Sequence, residues 1–320
     1  MPLSIIHKSY YALGTRISLT LLPPAQEADL AAAYDLIRDY EDRLTVNRDQ
    51  SELMSINQAA GRHPVAVSKI SYDLIKCAYT ISRLNLGFNA AIGPLVKLWR
   101  IGFSGANLPD PVEIQKRLSL IDPAQIQLDD DKRTVFLKQA GMELDLGAIA
   151  KGYIADAVLA LWQQHGLKSG VIDLGGNILL MGKSQHPDGL WRVGIQDPDL
   201  ARNQLLGSLE TPARSIVTSG IYERFLQVDG KKYHHMFDSK TGYPIANDLA
   251  SVTVISPRSI DGDIWTTLAF YAGLESGLVM IEKEPDLEAI FVTRDRRVAV
   301  TNGLQQSFHL LNPDYQMIEP

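Results

Sequence analysis

The 320-residue chain has one cysteine, Cys77. A lone thiol excludes an internal disulfide framework and a multi-thiolate metal site. Basic clusters are missing too: 31 Lys and Arg against 37 Asp and Glu give a net charge of −6. That removes any general attraction for nucleic acid or anionic membranes, and no nucleic-acid partner is expected. The start, MPLSIIHKSYYALG, lacks a basic patch followed by an apolar run. No signal peptide, lipid-attachment cysteine or membrane insertion is therefore expected, and a reducing, cytoplasmic setting fits best. The two common phosphate-loop fingerprints, G-x-G-x-x-G and G-x-x-x-x-G-K-[ST], are absent. The one acidic run, Asp129-Asp130-Asp131, reads as a solvated turn.

What is present suits a soluble globular protein large enough to bury a core. SIIHKSYYALGTRISLTLL alternates and is rich in β-formers, which predicts two strands around Gly14. QEADLAAAYDLIRDYEDRL sets Leu30, Tyr34 and Ile37 at helical spacing. SKISYDLIKCAYTISRLN repeats this with Ile70, Leu74, Ala78 and Ile81, with Ser68 as N-cap and Cys77 as a small core residue. ELDLGAIAKGYIADAVLALWQQHG predicts a short strand meeting Gly147, then a helix with its apolar face at Ile154, Val158, Leu161 and Trp162, closed by Gly166. SGVIDLGGNILLMG reads as strand, turn and strand, and Asp229-Gly230 as a hairpin turn between FLQV and KKYHHMFD. LASVTVIS reads as a strand, DIWTTLAFYAGLESGLVMIEK as one helix, and EAIFVT and RRVAVT as strands. The irregular alternation with several hairpins predicts an α+β class, mostly antiparallel sheets with packed helices.

Several short stretches could carry chemistry. Asp263 and Thr267, four apart near a helix start, share one face. A carboxylate beside a hydroxyl suits Mg2+ or Ca2+ and not zinc. The alternative is a helix-start aspartate favoured by the dipole, with Thr267 incidental. LDLGAIAKGY puts Lys151 in the first turn of a helix whose N–H groups could receive an anion, or is an ordinary connection. DLGGN allows close backbone approach at Gly175 and Gly176, or is a plain hairpin turn. TSG at 218–220 offers hydroxyls beside a glycine. In YHHMFDSKTGYPIAN, His234 and His235 should point to opposite faces of a strand, so that one can face a site. Asp238 either holds an imidazole or caps the Thr241-Gly242 turn, and Pro244 stiffens the exit.

In order, ALGT, SELMSIN (Ser51 to Asn57), FNAAIGPLVKLW (Phe88 to Trp99), LDLGAIAKGYIAD, DLGGN, TSG, HHMFDSKTGYP and GDIWTTLAFYAG resemble the FAD:protein FMN transferase (ApbE-type) family, from about Ala12 to Gly273. The resemblance implies an ApbE-like fold over 1–320 as a single flavin transferase domain. It implies an enzyme that uses Mg2+ and moves FMN from FAD to a Thr or Ser hydroxyl of a target flavoprotein, releasing AMP. By the same resemblance His235 is the general base. Asp263, Thr267 and the Ala148 carbonyl are the metal ligands. Leu13, Asn47, Phe88, Asn89, Ala90, Asp145, Lys151 and Met236 fall where the family contacts FAD. The chain departs from the family pattern at Leu13, where Met is usual, at Asn89-Ala90-Ala91, where Asp-x-Thr is frequent, and at Ser239, where Pro is. Two other outcomes use the same residues: an FAD pyrophosphatase giving FMN and AMP, with water as acceptor, and a non-catalytic flavin-binding module.

Overall fold

The computed structural model describes residues 5–318. The first residues of the N-terminal segment, including Ser4 of the expected first strand, lie outside the described residues. The chain divides into two compact units. One comprises the residues up to Glu41, Lys151–Gly220 and those from Asp248; the other comprises Asp42–Ala150 and Ile221–Asn247.

Among the described residues, the main sheet of the first unit has nine strands. Their order is Ile6–Ala12, Thr15–Leu21, Gly170–Asp173, Asn177–Met181, Ser215–Gly220, Leu249–Ser256, Glu288–Thr293, Arg297–Val300 and Gln316–Met317. All neighbours are antiparallel except the last pair, so the α+β, mostly antiparallel reading holds. The first hairpin turns at Leu13 and Gly14, whose φ values of 55° and 69° are those of a two-residue turn matched to strand twist. The β-branched strand Leu249–Ser256 is buried at every position, so both its faces are covered. On one face Ile216, Ile255 and Ile290 share a core with Val193, Leu206, Leu209 and Phe308 of a three-stranded sheet. Val217 and Val254 alternate to the other face, where the helix Ser259–Ala272 lies. It lies so close that a Cβ on Gly262 would come within 2.5 Å of the Val217 side chain.

The second unit holds the helices Glu52–Gln58, Lys69–Ser82, Gly93–Trp99 and Pro111–Leu118, a small sheet of Val65–Ala66, Thr134–Leu137 and Ile126–Asp129, and the predicted hairpin Phe225–Val228 with Lys231–His234. Its core centres on the fully buried Trp99. The rings of Tyr233, Phe237 and Tyr243 lie 5.5, 5.8 and 5.7 Å from the indole, whose N–H donates to the Gly242 carbonyl at 3.0 Å. Aromatic contacts of this kind add about 0.5–1.5 kcal/mol each beyond the area they bury.

Three expectations are corrected. The helix expected from 263 onward begins earlier, at Ser259, and is two helices, Ser259–Ala272 and Leu274–Glu282. Gly273, at φ 81° and ψ 179°, breaks it with a conformation essentially confined to glycine. The short strand expected at 143–146 does not form; only an isolated parallel bridge joins Glu143 to Ile92. Leu144 instead hands both backbone groups to the buried Asn57 side chain, donating to Oδ1 at 2.7 Å and accepting from Nδ2 at 3.0 Å. One amide thus satisfies the groups a neighbouring strand would have paired. Cys77 is half-buried, at the edge of the buried face formed by Tyr72, Leu74, Ile75 and Ala78, and not in the core.

Candidate active site

In the first unit, Asp263 is buried in the second turn of its helix. The dipole explanation for a helix-start aspartate passes to Asp261, which lies in the first turn and pairs with Arg258 at 2.6 Å. Asp263 Oδ2 accepts the Gly152 N–H at 2.5 Å, and Oδ1 accepts the Asn177 amide at 3.0 Å. Burial pushes its carboxyl up to about 6, against the pull of the Lys151 charge and of these two bonds. Thr267 Oγ1 donates to the Asp263 carbonyl at 3.2 Å, which leaves its oxygen lone pairs for another partner.

The surroundings of Asp263 depend on how two helices meet. The N-terminal turn of Ala150–Gln164 supplies the Gly152 N–H, one of the donors that a helix start leaves without an intrahelical partner. A Cβ on Gly152 would lie 2.3 Å from the Ser259 carbonyl oxygen, so only glycine permits this approach. One turn on, Asp156 accepts the N–H groups of Ser259 and Ile260 at 2.7 and 3.0 Å and so caps the helix that carries Asp263. Lys151 Nζ reaches the Gly175 carbonyl at 3.3 Å. The DLGGN stretch is a hairpin turn whose Gly175 and Gly176 N–H groups donate to Asp173. Leu13, at the tip of the first hairpin, donates its N–H to Glu41 at 3.0 Å.

In the second unit the two histidines differ. His234 is buried; its Nε2 donates to the Ile245 carbonyl at 3.0 Å and its Nδ1 accepts the Met236 N–H at 3.3 Å. His235, half-buried just past the strand end, places Nδ1 3.1 Å from the Arg224 carbonyl. A carbonyl only accepts, so Nδ1 carries the proton and Nε2 is the basic nitrogen. Asp238 is a turn residue: its carboxylate accepts the Lys240 N–H at 2.8 Å and the Thr241 hydroxyl at 3.4 Å. Phe88 and Ala90 are buried. Asn89 braces their loop, donating to the Ile121 carbonyl at 2.8 Å and accepting the Ala91 N–H at 2.9 Å. The Asp145 N–H donates to the Ala90 carbonyl at 2.9 Å, which brings these two positions together. Burial pushes the Asp145 carboxyl up, against the Gly147 N–H it accepts. Ala148 and Asn47 are exposed and Met236 is half-buried.

Sequence reading missed Asn177, Ser259, Gly152 and Asp156 as members of the Asp263 surroundings. Only the glycine in LDLGAIAKGY and the asparagine in DLGGN offered a signal, and neither motif says what it faces. Among the described residues no three His, Cys, Asp or Glu side chains form a metal cluster. The donors at Asp263 and Thr267 are instead a carboxylate and a hydroxyl, hard oxygens that fit Mg2+, an ion that takes few protein ligands and completes its shell from water and phosphate.

The ApbE family model matches residues 13–291. The chain is 48% identical over 308 residues to a FAD:protein FMN transferase of Klebsiella pneumoniae, covering 96% of this chain and 95% of that one. It is 38% identical to the protein of the same description from Treponema pallidum, covering 94% and 88%. The structure matches that of the ApbE protein of Thermotoga maritima with a TM-score of 0.85 at 25% identity, over 94% of this chain and 98% of that one. It matches the flavin transferase ApbE of Vibrio cholerae with a TM-score of 0.82 at 26% identity, over 96% and 100%. The chain belongs to the ApbE family.

Proposed function

We propose that this protein is an FAD:protein FMN transferase that moves FMN from FAD to a threonine or serine hydroxyl of a target flavoprotein and releases AMP. The observation that carries the reading is the 48% identity, across 96% of the chain, to a FAD:protein FMN transferase of Klebsiella pneumoniae. The acceptor oxygen attacks the phosphorus of the FMN half. The pyrophosphate P–O bond breaks, AMP leaves with the electron pair, and the acceptor proton passes to His235.

The barrier is electrostatic, because an oxygen nucleophile approaches a charged diphosphate. Mg2+, held by Asp263, the Thr267 hydroxyl and the Ala148 carbonyl, would neutralise the phosphate oxygens and fix their geometry. Lys151 and the helix start it belongs to add positive potential for the same anion. The Arg224 carbonyl holds His235 in the tautomer whose Nε2 can take a proton. Leu13, Asn47, Phe88, Asn89, Ala90, Asp145, Lys151 and Met236 are assigned to FAD. Support for the loop at 88–90 is its bracing by Asn89 and by the Asp145 N–H, since a wall already fixed costs little ordering on binding. We assign the whole chain to this one function, because the family match at 13–291 includes residues of both units. Among the described residues no helix is long and apolar enough to cross a membrane.

The test is incubation of the protein with FAD, Mg2+ and a candidate acceptor flavoprotein, read by intact mass of the acceptor and chromatography of AMP. An FMN adduct with matching AMP is expected. AMP and free FMN without an adduct would assign a pyrophosphatase. No FAD turnover with any acceptor would leave a flavin-binding module and overturn the reading.

A further inference from the structure

Asn177 is fully buried at the first position of its strand and makes no use of its side chain in the sheet. Its amide joins two groups that come from the far end of the chain. Nδ2 donates to Asp263 Oδ1 at 3.0 Å, and Oδ1 accepts the Ser259 hydroxyl at 2.7 Å. Ser259 in turn receives the Ser215 hydroxyl at 3.1 Å. Asn177, Ser215 and Ser259 are all fully buried, so water does not compete for these bonds.

The relay has a direction. Ser215 donates to Ser259, so the Ser259 proton points to Asn177. Asn177 must then present its oxygen to Ser259 and its NH2 to Asp263. The reverse orientation would set an amide oxygen against a carboxylate oxygen, two acceptors with no proton between them. The Gly152 N–H occupies the other oxygen of Asp263 from the opposite helix. The carboxylate is therefore held at both oxygens by donors, which fixes its plane. Each oxygen keeps a further lone pair for a cation.

We propose that Asn177 is a positioning residue that, through the Ser215–Ser259 relay, holds the Asp263 carboxylate in a fixed orientation for a divalent cation. The inference rests on the reading of Asp263 as a metal ligand. Partners of this kind, one bond behind a ligand, typically cost 10–100-fold in metal affinity when removed.

The test is Mn2+ binding by electron paramagnetic resonance with FAD present, alongside the Mg2+ dependence of AMP release. Four proteins are compared: the wild type, Asp263→Ala, Asn177→Ala and Ser259→Ala. Asn177→Ala is expected to weaken Mn2+ binding about 10–100-fold. Ser259→Ala keeps the amide but frees its orientation, and a smaller loss is expected. In both, the Mg2+ concentration needed should rise by more than kcat falls. A purely structural role would lower the folded fraction without moving the Mn2+ affinity of the protein that remains folded. If Asn177→Ala does not fold, Ser259→Ala carries the test. Wild-type affinity in the folded variants, with binding lost in Asp263→Ala, overturns this inference alone. Wild-type protein that binds no Mn2+, or binding unaffected in Asp263→Ala, overturns the metal reading and this inference with it.

Discussion

Adjacent histidines with the same chemistry have been given different tasks by their backbone partners. His234 spends both ring nitrogens on the Met236–Ile245 turn, while His235 gives its Nδ1 proton to the Arg224 carbonyl, the tautomer that the proposed role of base requires. Changing His235 to Ala should lower transfer by about 10²–10⁴-fold with FAD affinity retained, because a proton acceptor is removed and no flavin contact is. Changing His234 to Ala should instead cost about 1–3 kcal/mol of stability in urea titrations, since buried backbone groups lose their partners. Equal transfer rates for the wild type and His235→Ala would remove that residue from the reaction. The sequence pattern put the two rings on opposite faces but could not say which one the turn would consume. It was similarly silent about what surrounds Asp263. Its partners Asn177 and Gly152 stand 86 and 111 positions away, and local spacing carries no information at that range.

Elements whose signal is local were legible: the hairpins at Leu13-Gly14 and Asp229-Gly230, and the helices Glu27–Leu44 and Lys69–Ser82. Failures came where a side chain or a single backbone angle overruled the pattern, as Asn57 did for 143–146 and Gly273 did for the long apolar helix. The joint between helices 150–164 and 259–272 is one such non-local feature. Asp156→Ala removes both cap bonds at Ser259 and Ile260 and should cost about 1–2 kcal/mol, read as a lower unfolding midpoint. A second joint lies between helices Glu52–Gln58 and Lys69–Ser82, where Glu52 accepts the Ser68 N–H and hydroxyl at 2.9 and 2.8 Å. Burial pushes the Glu52 carboxyl up, but the bonds from Ser68, Ser71 and Arg43 outweigh it, and the net shift is down from 4.5. The folded protein thus holds this proton less tightly than the unfolded chain. The stabilisation is present above about pH 4.5 and is lost as the pH falls through the lower folded value. Stability against pH should flatten on its acid side in Glu52→Gln, and an unchanged acid limb would show that the bonds to Ser68 do not depend on charge.

At the scale of the whole chain, the two units are interleaved in sequence: neither is a single continuous segment. No boundary signal announced this, because no low-complexity linker marks the crossings and each crossing lies close to ordinary secondary structure. Interleaving has an energetic consequence for the second unit. Trp99 comes from its long segment, whereas Tyr233, Phe237 and Tyr243, whose rings meet it tilted or edge-on, all come from 221–247. The indole also gives its N–H to Gly242 in that same short segment. A fragment spanning 42–150 would therefore keep the tryptophan and lose its three aromatic neighbours and its hydrogen-bond acceptor. Burying an indole N–H without a partner costs about 1–3 kcal/mol, and an aromatic nest cannot form from one ring. Trp99 is the only tryptophan in that fragment, so its fluorescence reports on this core alone. The fragment should emit as a water-exposed indole, with no cooperative change in urea. Supplying 221–247 in trans should move the emission to the blue, and a blue-shifted, cooperatively unfolding fragment without it would show that the helices around Trp99 form a core unaided.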